Sequence, residues 1–65
     1  MSENIVVKST KQKMQALLNA LKENSLTILG TMWVGDNNVL IRVNQSGAVP
    51  VAKKMGYDVV NSWVD

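Results

Sequence analysis

Hydrophobic residues recur at helical spacing early in the chain. The apolar positions between Lys11 and Asn24 share one helical face and comprise Met14, Leu17, Leu18 and Leu21. Side chains separated by three, four and seven residues lie on the same side of an α-helix, so this pattern predicts an amphipathic helix. Ser9 and Gln12 have the spacing of a capping box, which predicts that the helix begins beside Ser9. Asn24 tolerates the left-handed conformation that ends many helices.

Two segments with the alternation of β-strands follow, separated by turn residues at 35–38. Residues 26–34 place two sets of side chains on opposite faces, the first being Leu26, Ile28, Met32 and Val34 and the second Thr27, Leu29, Thr31 and Trp33. Residues 39–44 alternate in the same way, so the two segments are predicted to form a hairpin. Gly30 interrupts the first strand, and a glycine there is typical of a bulge or of a close approach by a helix.

The remaining segments complete a β-α-β-β-α-β order. Helical spacing returns at Ala48, Val51, Ala52 and Met55, and Gly56 is placed to end that helix. Residues 59–64 are the predicted last strand and residues 5–8 the first. Right-handed connections between these elements give a four-stranded antiparallel sheet in the order 4-1-3-2, with both helices on one face. The expected fold is a single α+β domain over residues 1–65, a ferredoxin-like βαββαβ sandwich.

One face of this sheet has no helix to cover it and still carries large apolar side chains. The residues predicted for this face are Leu29, Trp33, Leu40 and Trp63. A sheet face that meets only water is normally polar, so we expect an association surface. Tryptophan is enriched among the residues that dominate binding energy, which favours Trp33 and Trp63 as interface anchors unless both complete the core.

Composition limits the chemistry that the chain can perform. Its 65 residues include no cysteine and no histidine, and its five carboxylates are spread out with no pair on one helical face. Catalysis by histidine or cysteine is excluded, and we expect a protein that is not an enzyme and uses no metal or cofactor. A chain of this size buries only about 60% of its unfolded surface. We therefore expect the fold to be stabilised further by homo-oligomerisation, most simply as a dimer, or by a larger protein partner.

Charge and hydropathy change this picture little. The formal net charge is +2, and only Lys8, Lys11 and Lys13 cluster. These lysines could bind phosphates, but a solvated rim is the simpler interpretation, so nucleic acid is not an expected partner. No apolar run reaches the ~18 residues of a membrane span, and the first residues lack the pattern of a signal peptide. We therefore expect no membrane partner and, by default, a cytoplasmic location.

Three segments carry a family resemblance, and they read ALLNALKENSLTIL at 16–29, NVLIRVN at 38–44 and AKKMGYDVV at 52–60. They resemble the leucine-bearing first helix and following strand, the third strand, and the closing helix and strand of ACT domains. The resemblance implies a regulatory module that binds a small anionic or amino-acid-like effector between two chains. It implies a site in which Ser9, Thr10 and Lys11 of one chain face Ser25 and Thr27 of its neighbour.

This implied site departs from the family pattern in two respects. The loop lacks an Asp-x-Pro-Gly-like sequence, and Thr27 stands where asparagine is frequent in the family. Ser9 and Thr10 lie at a predicted helix start, where backbone N–H groups can bind a carboxylate or a phosphate. The simpler role of Ser9 is to cap the helix.

Two other functions remain open. The first is a small accessory or inhibitor protein that covers a site on a larger protein through the open sheet face. The second is a nucleic-acid-binding protein, because residues 51–57 also resemble the first helix and turn of a helix-turn-helix, with residues 58–64 as its recognition helix. That helix would be barely two turns long and would offer DNA an acidic face without lysine, so this interpretation is the least favoured.

Overall fold

The computed structural model describes all 65 residues and contains six regular elements. They are β1 (Glu3–Lys8), α1 (Lys11–Glu23), β2 (Ile28–Val34), β3 (Asn38–Val43), α2 (Ala48–Lys54) and β4 (Val59–Val64). The strands form one antiparallel sheet in the order β2-β3-β1-β4, so that β1 and β3 are central. The predicted fold class and sheet order are confirmed: the chain adopts an α+β, ferredoxin-like βαββαβ fold.

Alternate residues of the two central strands build the core. The register sets Ile5 opposite Ile41 and Val7 opposite Val39, so these four side chains point to the same face of the sheet. All four are fully buried. The buried residues of the two helices are Leu17, Leu21, Ala48 and Ala52. Both helices therefore pack on this face, which we call the covered face, and the opposite face is the open face.

The start of α1 differs from the predicted capping box. Thr10 is the N-cap, and its side-chain oxygen accepts a hydrogen bond from the Lys13 N–H at 3.2 Å. Ser9 instead donates its hydroxyl to the Thr10 carbonyl at 2.8 Å, so the prediction that Ser9 caps the helix is wrong by one residue. At the other end, Ser25 rather than Asn24 is left-handed, with φ 65°. Ser9 and Thr10 have similar capping ability, so their order at the start of α1 is not distinguished by residue type. At its end Asn24 is the C-cap, and its side-chain amide donates to the Ala20 carbonyl at 2.7 Å.

A residue of β1 holds the start of α2. Gly47 is the N-cap and has no side chain that could accept a hydrogen bond. The Glu3 carboxylate Oε1 does so instead, accepting the Gly47 N–H at 3.1 Å and the Ala48 N–H at 2.7 Å. Beyond the last turn of this helix lies Gly56, with φ 87°, a conformation that glycine adopts without steric penalty. The predicted helix end at Gly56 is confirmed.

A β-bulge interrupts the pairing of β2 with β3. Ile28 pairs with Val43, but the next paired residue is Gly30, which lies opposite Arg42. Leu29 is therefore the extra residue of the bulge. Because the side chains of a strand alternate with a period of two, one extra residue moves every following side chain to the opposite face.

Trp33 consequently lies on the covered face and Met32 on the open face. Trp33 is opposite the core residue Val39 and packs against the core. Met32 is opposite Leu40 and is 60% exposed. The prediction that Trp33 belongs to the open face is wrong, because the prediction assumed an uninterrupted alternation through Gly30.

The last strand excludes the helix-turn-helix interpretation. Residues Val59–Val64 form a β-strand antiparallel to β1, with Trp63 opposite Asn4 and Ser62 opposite Ile5. The recognition helix proposed for residues 58–64 is therefore wrong. Valine favours extended conformations, and pairing with a central strand satisfies the backbone of this segment.

Candidate functional site

The open face carries an apolar row across three strands. Leu40 lies in the middle of this row, with Val6 opposite it on β1 and Met32 opposite it on β2. Val6 and Leu40 are half-buried by their neighbours in the sheet, whereas Met32 is exposed. Trp63 lies on the same face of β4 and is 42% exposed. No element of the chain covers these side chains, so the apolar row of β2, β3 and β1 faces solvent, with Asn61 opposite Val6 at its β4 end and Trp63 two residues further along β4.

The four predicted interface residues lie in three different places. They are Leu29, Trp33, Leu40 and Trp63. The structure places Leu40 and Trp63 on the open face and Leu29 exposed at the bulge, while Trp33 is on the covered face. Sequence reasoning missed Met32, which takes the position that Trp33 was expected to hold. The signal that could have found it is Gly30, since a glycine inside a strand pattern often marks a bulge.

A polar cluster occupies one end of the open face and links β1 to the residue after β4. We call it the terminal clasp, and its members are Ser2, Asn4, Arg42 and Asp65. The Asp65 carboxylate Oδ2 accepts the Ser2 hydroxyl at 3.1 Å and the Asn4 amide at 3.2 Å. The same oxygen lies 2.9 Å from Arg42 Nη2. The Arg42 guanidinium also donates to the Ser2 hydroxyl oxygen.

The terminal clasp shifts the titration of Asp65. Hydrogen bonds from Asn4 and then from Ser2 hold the pKa of the Asp65 carboxyl below its ordinary value, and the positive charge of Arg42 acts in the same direction. Desolvation raises this pKa but does not outweigh them. The ion pair is about half exposed, so its own contribution to stability is small. The clasp thus hydrogen-bonds these polar groups to one another and joins the start of β1 to the residue after β4.

The two ends of the molecule differ in charge. We call the end where β1 stops and α1 begins the basic end, and its charged residues are Lys8, Lys11, Lys13, Lys53, Lys54, Asp36 and Asp58. The charged residues of the opposite end are Lys22, Arg42, Glu3, Glu23 and Asp65. The formal charge is therefore +3 at the basic end and −1 at the other. The antiparallel topology produces this difference, because it brings the lysines of α1 and α2 to the same end.

Two shallow clefts open at the basic end, one on each side of the first turn of α1. The first has a volume of about 370 Å³ and is lined by Lys8, Lys13, Met55, Gly56, Tyr57 and Asp58. The second has a volume of about 380 Å³ and is lined by Thr10, Lys11, Trp33, Gly35 and Asp36. The Tyr57 hydroxyl donates to the Lys13 carbonyl, which fixes its ring in the first cleft. Each cleft thus combines an aromatic ring with lysine.

The predicted ligand-binding residues lie at opposite ends of α1. They are Ser9, Thr10 and Lys11 before and at its start, and Ser25 and Thr27 beyond its end. Since α1 has 13 residues, it is about 20 Å long. One chain therefore does not bring the two groups around one small ligand. The site that the resemblance implies lies between two chains, and it stays a prediction.

Most of these five residues have a structural role within the chain. Thr10 caps α1, and the Ser9 hydroxyl bonds to the carbonyl of Thr10. The Thr27 N–H donates to the side-chain oxygen of Asn44 at 2.9 Å, and the Asn44 N–H donates to the Thr27 carbonyl at 3.1 Å. The Lys11 side chain makes no hydrogen bond or ion pair within the chain. The side chains of Ser25 and Thr27 likewise make no hydrogen bond, so of the five only Ser9 and Thr10 have their side chains engaged within the chain.

The fold defines the class of protein: a small ferredoxin-like α+β domain. No protein-family model matches the chain, and no curated protein matches it significantly. The resemblance to ACT domains therefore rests on three sequence segments and the βαββαβ order, and membership of that family stays a prediction. No group of three or more carboxylate, histidine or cysteine side chains is arranged to hold a metal ion. Neither helix has the length and apolar character of a membrane span.

Proposed function

We propose that this protein is a non-enzymatic module that acts by association, with its open face covered by a second copy of the chain. One observation carries the proposal: the apolar row formed by Met32, Leu40 and Val6, with Trp63 on the same face, has no cover within the chain. Contiguous exposed apolar surface on a small domain is typical of an interaction site. A regulatory role is the use that the resemblance to ACT domains implies for such a module.

The small size of the core supports a second copy as the occupant. The core cluster has 10 buried residues, and the chain has no cysteine that could form a disulfide. Domains this small gain stability from association because one chain buries too little apolar surface by itself. A face-to-face dimer covers the apolar row of both copies at once.

Charge supports an antiparallel arrangement of the two copies. Lys8 lies on the open face at the basic end, and Arg42 and Asp65 lie at the other end of that face. A parallel arrangement would bring the two copies of Lys8 together, whereas an antiparallel one brings each Lys8 towards the Asp65 carboxylate of the other copy. At the scale of the molecule, the end with formal charge +3 then faces the end with −1.

The dimensions of the sheet predict a weak dimer. Four strands spaced by about 4.8 Å, each about six residues long, give a sheet face of roughly 400 Å². Covering this face in both copies removes on the order of 1,000 Å² of accessible surface, which is at the low end for specific interfaces. We therefore expect a dissociation constant in the micromolar range and an oligomeric state that changes with concentration.

Sedimentation velocity over low to high micromolar concentrations tests this proposal with two matched variants. Met32→Lys places a charge in the apolar row, and because Met32 is exposed on an edge strand, the fold is expected to survive. Met55→Lys makes the same chemical change at an exposed methionine at the end of α2, away from the open face. The wild type and Met55→Lys are expected to dimerise with increasing concentration. Met32→Lys is expected to stay monomeric with an unchanged circular-dichroism spectrum.

Two results would overturn this proposal. A wild-type protein that stays monomeric over the whole range shows that a second copy does not cover the open face. The accessory or inhibitor function, in which a larger protein covers it, would then replace self-association. A dimer that Met32→Lys leaves as strong as the wild type shows that the copies associate through another surface, such as the sheet edges.

A further inference from the structure

We infer that the basic end binds single-stranded nucleic acid, with its lysines on the phosphate backbone and the rings of Trp33 and Tyr57 as stacking surfaces for bases. The first turn of α1, with Lys11 and Lys13, lies outside the open face that the proposed dimer uses, and Lys8 is the one residue that the two surfaces share. Such binding differs from the rejected helix-turn-helix, since it requires no recognition helix.

The lysines of the basic end are not neutralised within the chain. The only salt bridge of the molecule joins Arg42 to Asp65 at the opposite end. The basic-end lysines Lys8, Lys11, Lys13, Lys53 and Lys54 therefore have no ion-pair partner within bonding distance. The basic end keeps a formal charge of +3 after Asp36 and Asp58 are counted, and such a surface attracts phosphate and releases its counterions on binding.

Two of these lysines lie where a positive charge destabilises their own helix. Lys11 and Lys13 lie in the first turn of α1, which contains no acidic residue. The start of a helix carries a partial positive charge, so cations there are unfavourable and carboxylates are favourable. Helix stability therefore does not explain these two lysines, whereas an anionic ligand at this surface does.

The aromatic rings favour nucleic acid over other polyanions. Trp33 lines the cleft that contains Lys11, and Tyr57 lines the cleft that contains Lys13. The covered face holds the indole of Trp33, and the hydrogen bond from Tyr57 to the Lys13 carbonyl holds the phenol. Fixed aromatic rings beside a basic surface are the usual means of binding single strands, because every base has a face that can stack. An acidic peptide such as polyglutamate has no planar group that could stack on these rings, and the comparison with anionic vesicles distinguishes a lipid surface.

The size of the molecule limits the site to a short stretch of strand. The longest dimension of the chain is 28 Å. A site at one end covers about four nucleotides, which is the low end of the range for small single-strand-binding domains. For about four phosphate contacts, the logarithm of the binding constant is expected to fall with the logarithm of salt concentration with a slope of about −3.

Fluorescence anisotropy with a labelled oligothymidylate as probe tests the lysines at low salt. Lys11→Gln and Lys13→Gln each remove one charge at the basic end, and they remove an unfavourable cation from the start of α1, so folding is expected to be kept. Lys22→Gln is the matched control, because it removes the same charge at the opposite end. Each basic-end variant is expected to raise the dissociation constant about three- to tenfold. The control is expected to change it less than about twofold.

Tryptophan emission tests the stacking surface directly. The chain has two tryptophans, so Trp63→Phe leaves Trp33 as the only one. We expect oligothymidylate to quench the emission of Trp33 in this variant, with the same concentration dependence as the anisotropy. Polyglutamate and vesicles with an anionic lipid serve as the comparison polyanions, and neither is expected to quench it.

Three results would overturn the inference. The first is the absence of binding to oligothymidylate at low salt. The second is an equal loss of binding in Lys22→Gln and Lys11→Gln, which would assign the effect to net charge alone. The third is binding of polyglutamate or anionic vesicles as tight as that of oligothymidylate with no response of Trp33, which would define a general polyanion surface.

Discussion

Glu3 links the first strand to the start of a distant helix. It is 7% exposed on the covered face, and its carboxylate accepts both the Gly47 and the Ala48 N–H groups. The first N–H groups of a helix have no partner within the helix, and α2 has no side chain of its own to cap them. A negative charge at this position also interacts favourably with the partial positive charge of the helix start. No local sequence pattern reveals this role, because strand and helix are more than forty residues apart.

Removal of this carboxylate is expected to destabilise the fold. Glu3→Ala leaves the buried Ala48 N–H and the half-buried Gly47 N–H without an acceptor and is expected to lower the free energy of unfolding by about 2–3 kcal/mol in urea unfolding. The whole free energy of unfolding of a 65-residue domain is roughly 3–10 kcal/mol, so the expected loss is a large fraction of it. Glu3→Gln keeps one oxygen acceptor and is expected to lose about half as much.

The control for Glu3 is an exposed glutamate elsewhere on the chain. Glu23 is the last residue of α1, so Glu23→Ala is expected to change the free energy of unfolding by less than about 0.5 kcal/mol. A Glu3→Ala protein as stable as the Glu23→Ala protein would show that water or another group satisfies the start of α2 equally well.

At the level of the elements, the order and type of all six follow from the sequence, but the faces of β2 do not. The hydrophobic spacing of α1, the turn before β3 and the glycine after α2 each indicate their element directly. The apolar residues of β2 occur at both odd and even positions, so its alternation does not determine which side faces the helices. The bulge determines which side chains of β2 face the helices. Its position is fixed by pairing with β3 rather than by local preference.

The two tryptophans test this assignment of faces. Trp33 packs against the core from the covered face, so Trp33→Ser is expected to lower the free energy of unfolding by about 2 kcal/mol, less than for a fully buried tryptophan. Trp63 lies on the open face, so Trp63→Ser is expected to lower it by less than about 1 kcal/mol. Chemical unfolding at a concentration where the protein is monomeric measures both. Equal losses in the two variants would contradict the bulge in β2.

At the scale of the molecule, the candidate surfaces depend on how the topology combines distant segments. The sequence shows a cluster of Lys8, Lys11 and Lys13, but Lys53 and Lys54 join it only because α2 runs antiparallel to α1. The terminal clasp likewise needs β4 beside β1. Neither assembly is visible in local spacing, because it arises from contacts between residues tens of positions apart.

The terminal clasp predicts a specific pH dependence of stability. The pKa of Asp65 is lowered in the folded protein, mainly by the hydrogen bonds from Asn4 and Ser2. Because the folded pKa lies below the unfolded value of about 3.9, the stabilising contribution of the carboxylate is fully present above that value and is lost as the pH falls through the folded pKa. Asp65→Asn lacks this titration. Its thermal unfolding temperature is therefore expected to be below that of the wild type at neutral pH and to approach it in acid.

Asp36→Asn separates this effect from general acid destabilisation. Asp36 is exposed in the turn between β2 and β3, where it forms no salt bridge, and the other carboxylates, Glu3 included, are the same in both variants. Thermal unfolding from about pH 7 to about pH 2, followed by circular dichroism, is expected to give a wild-type profile for Asp36→Asn and a flatter one for Asp65→Asn. If the two profiles coincide, protonation of Asp65 does not weaken the folded state. The clasp would then be a contact that forms without stabilising the pairing of β1 with β4.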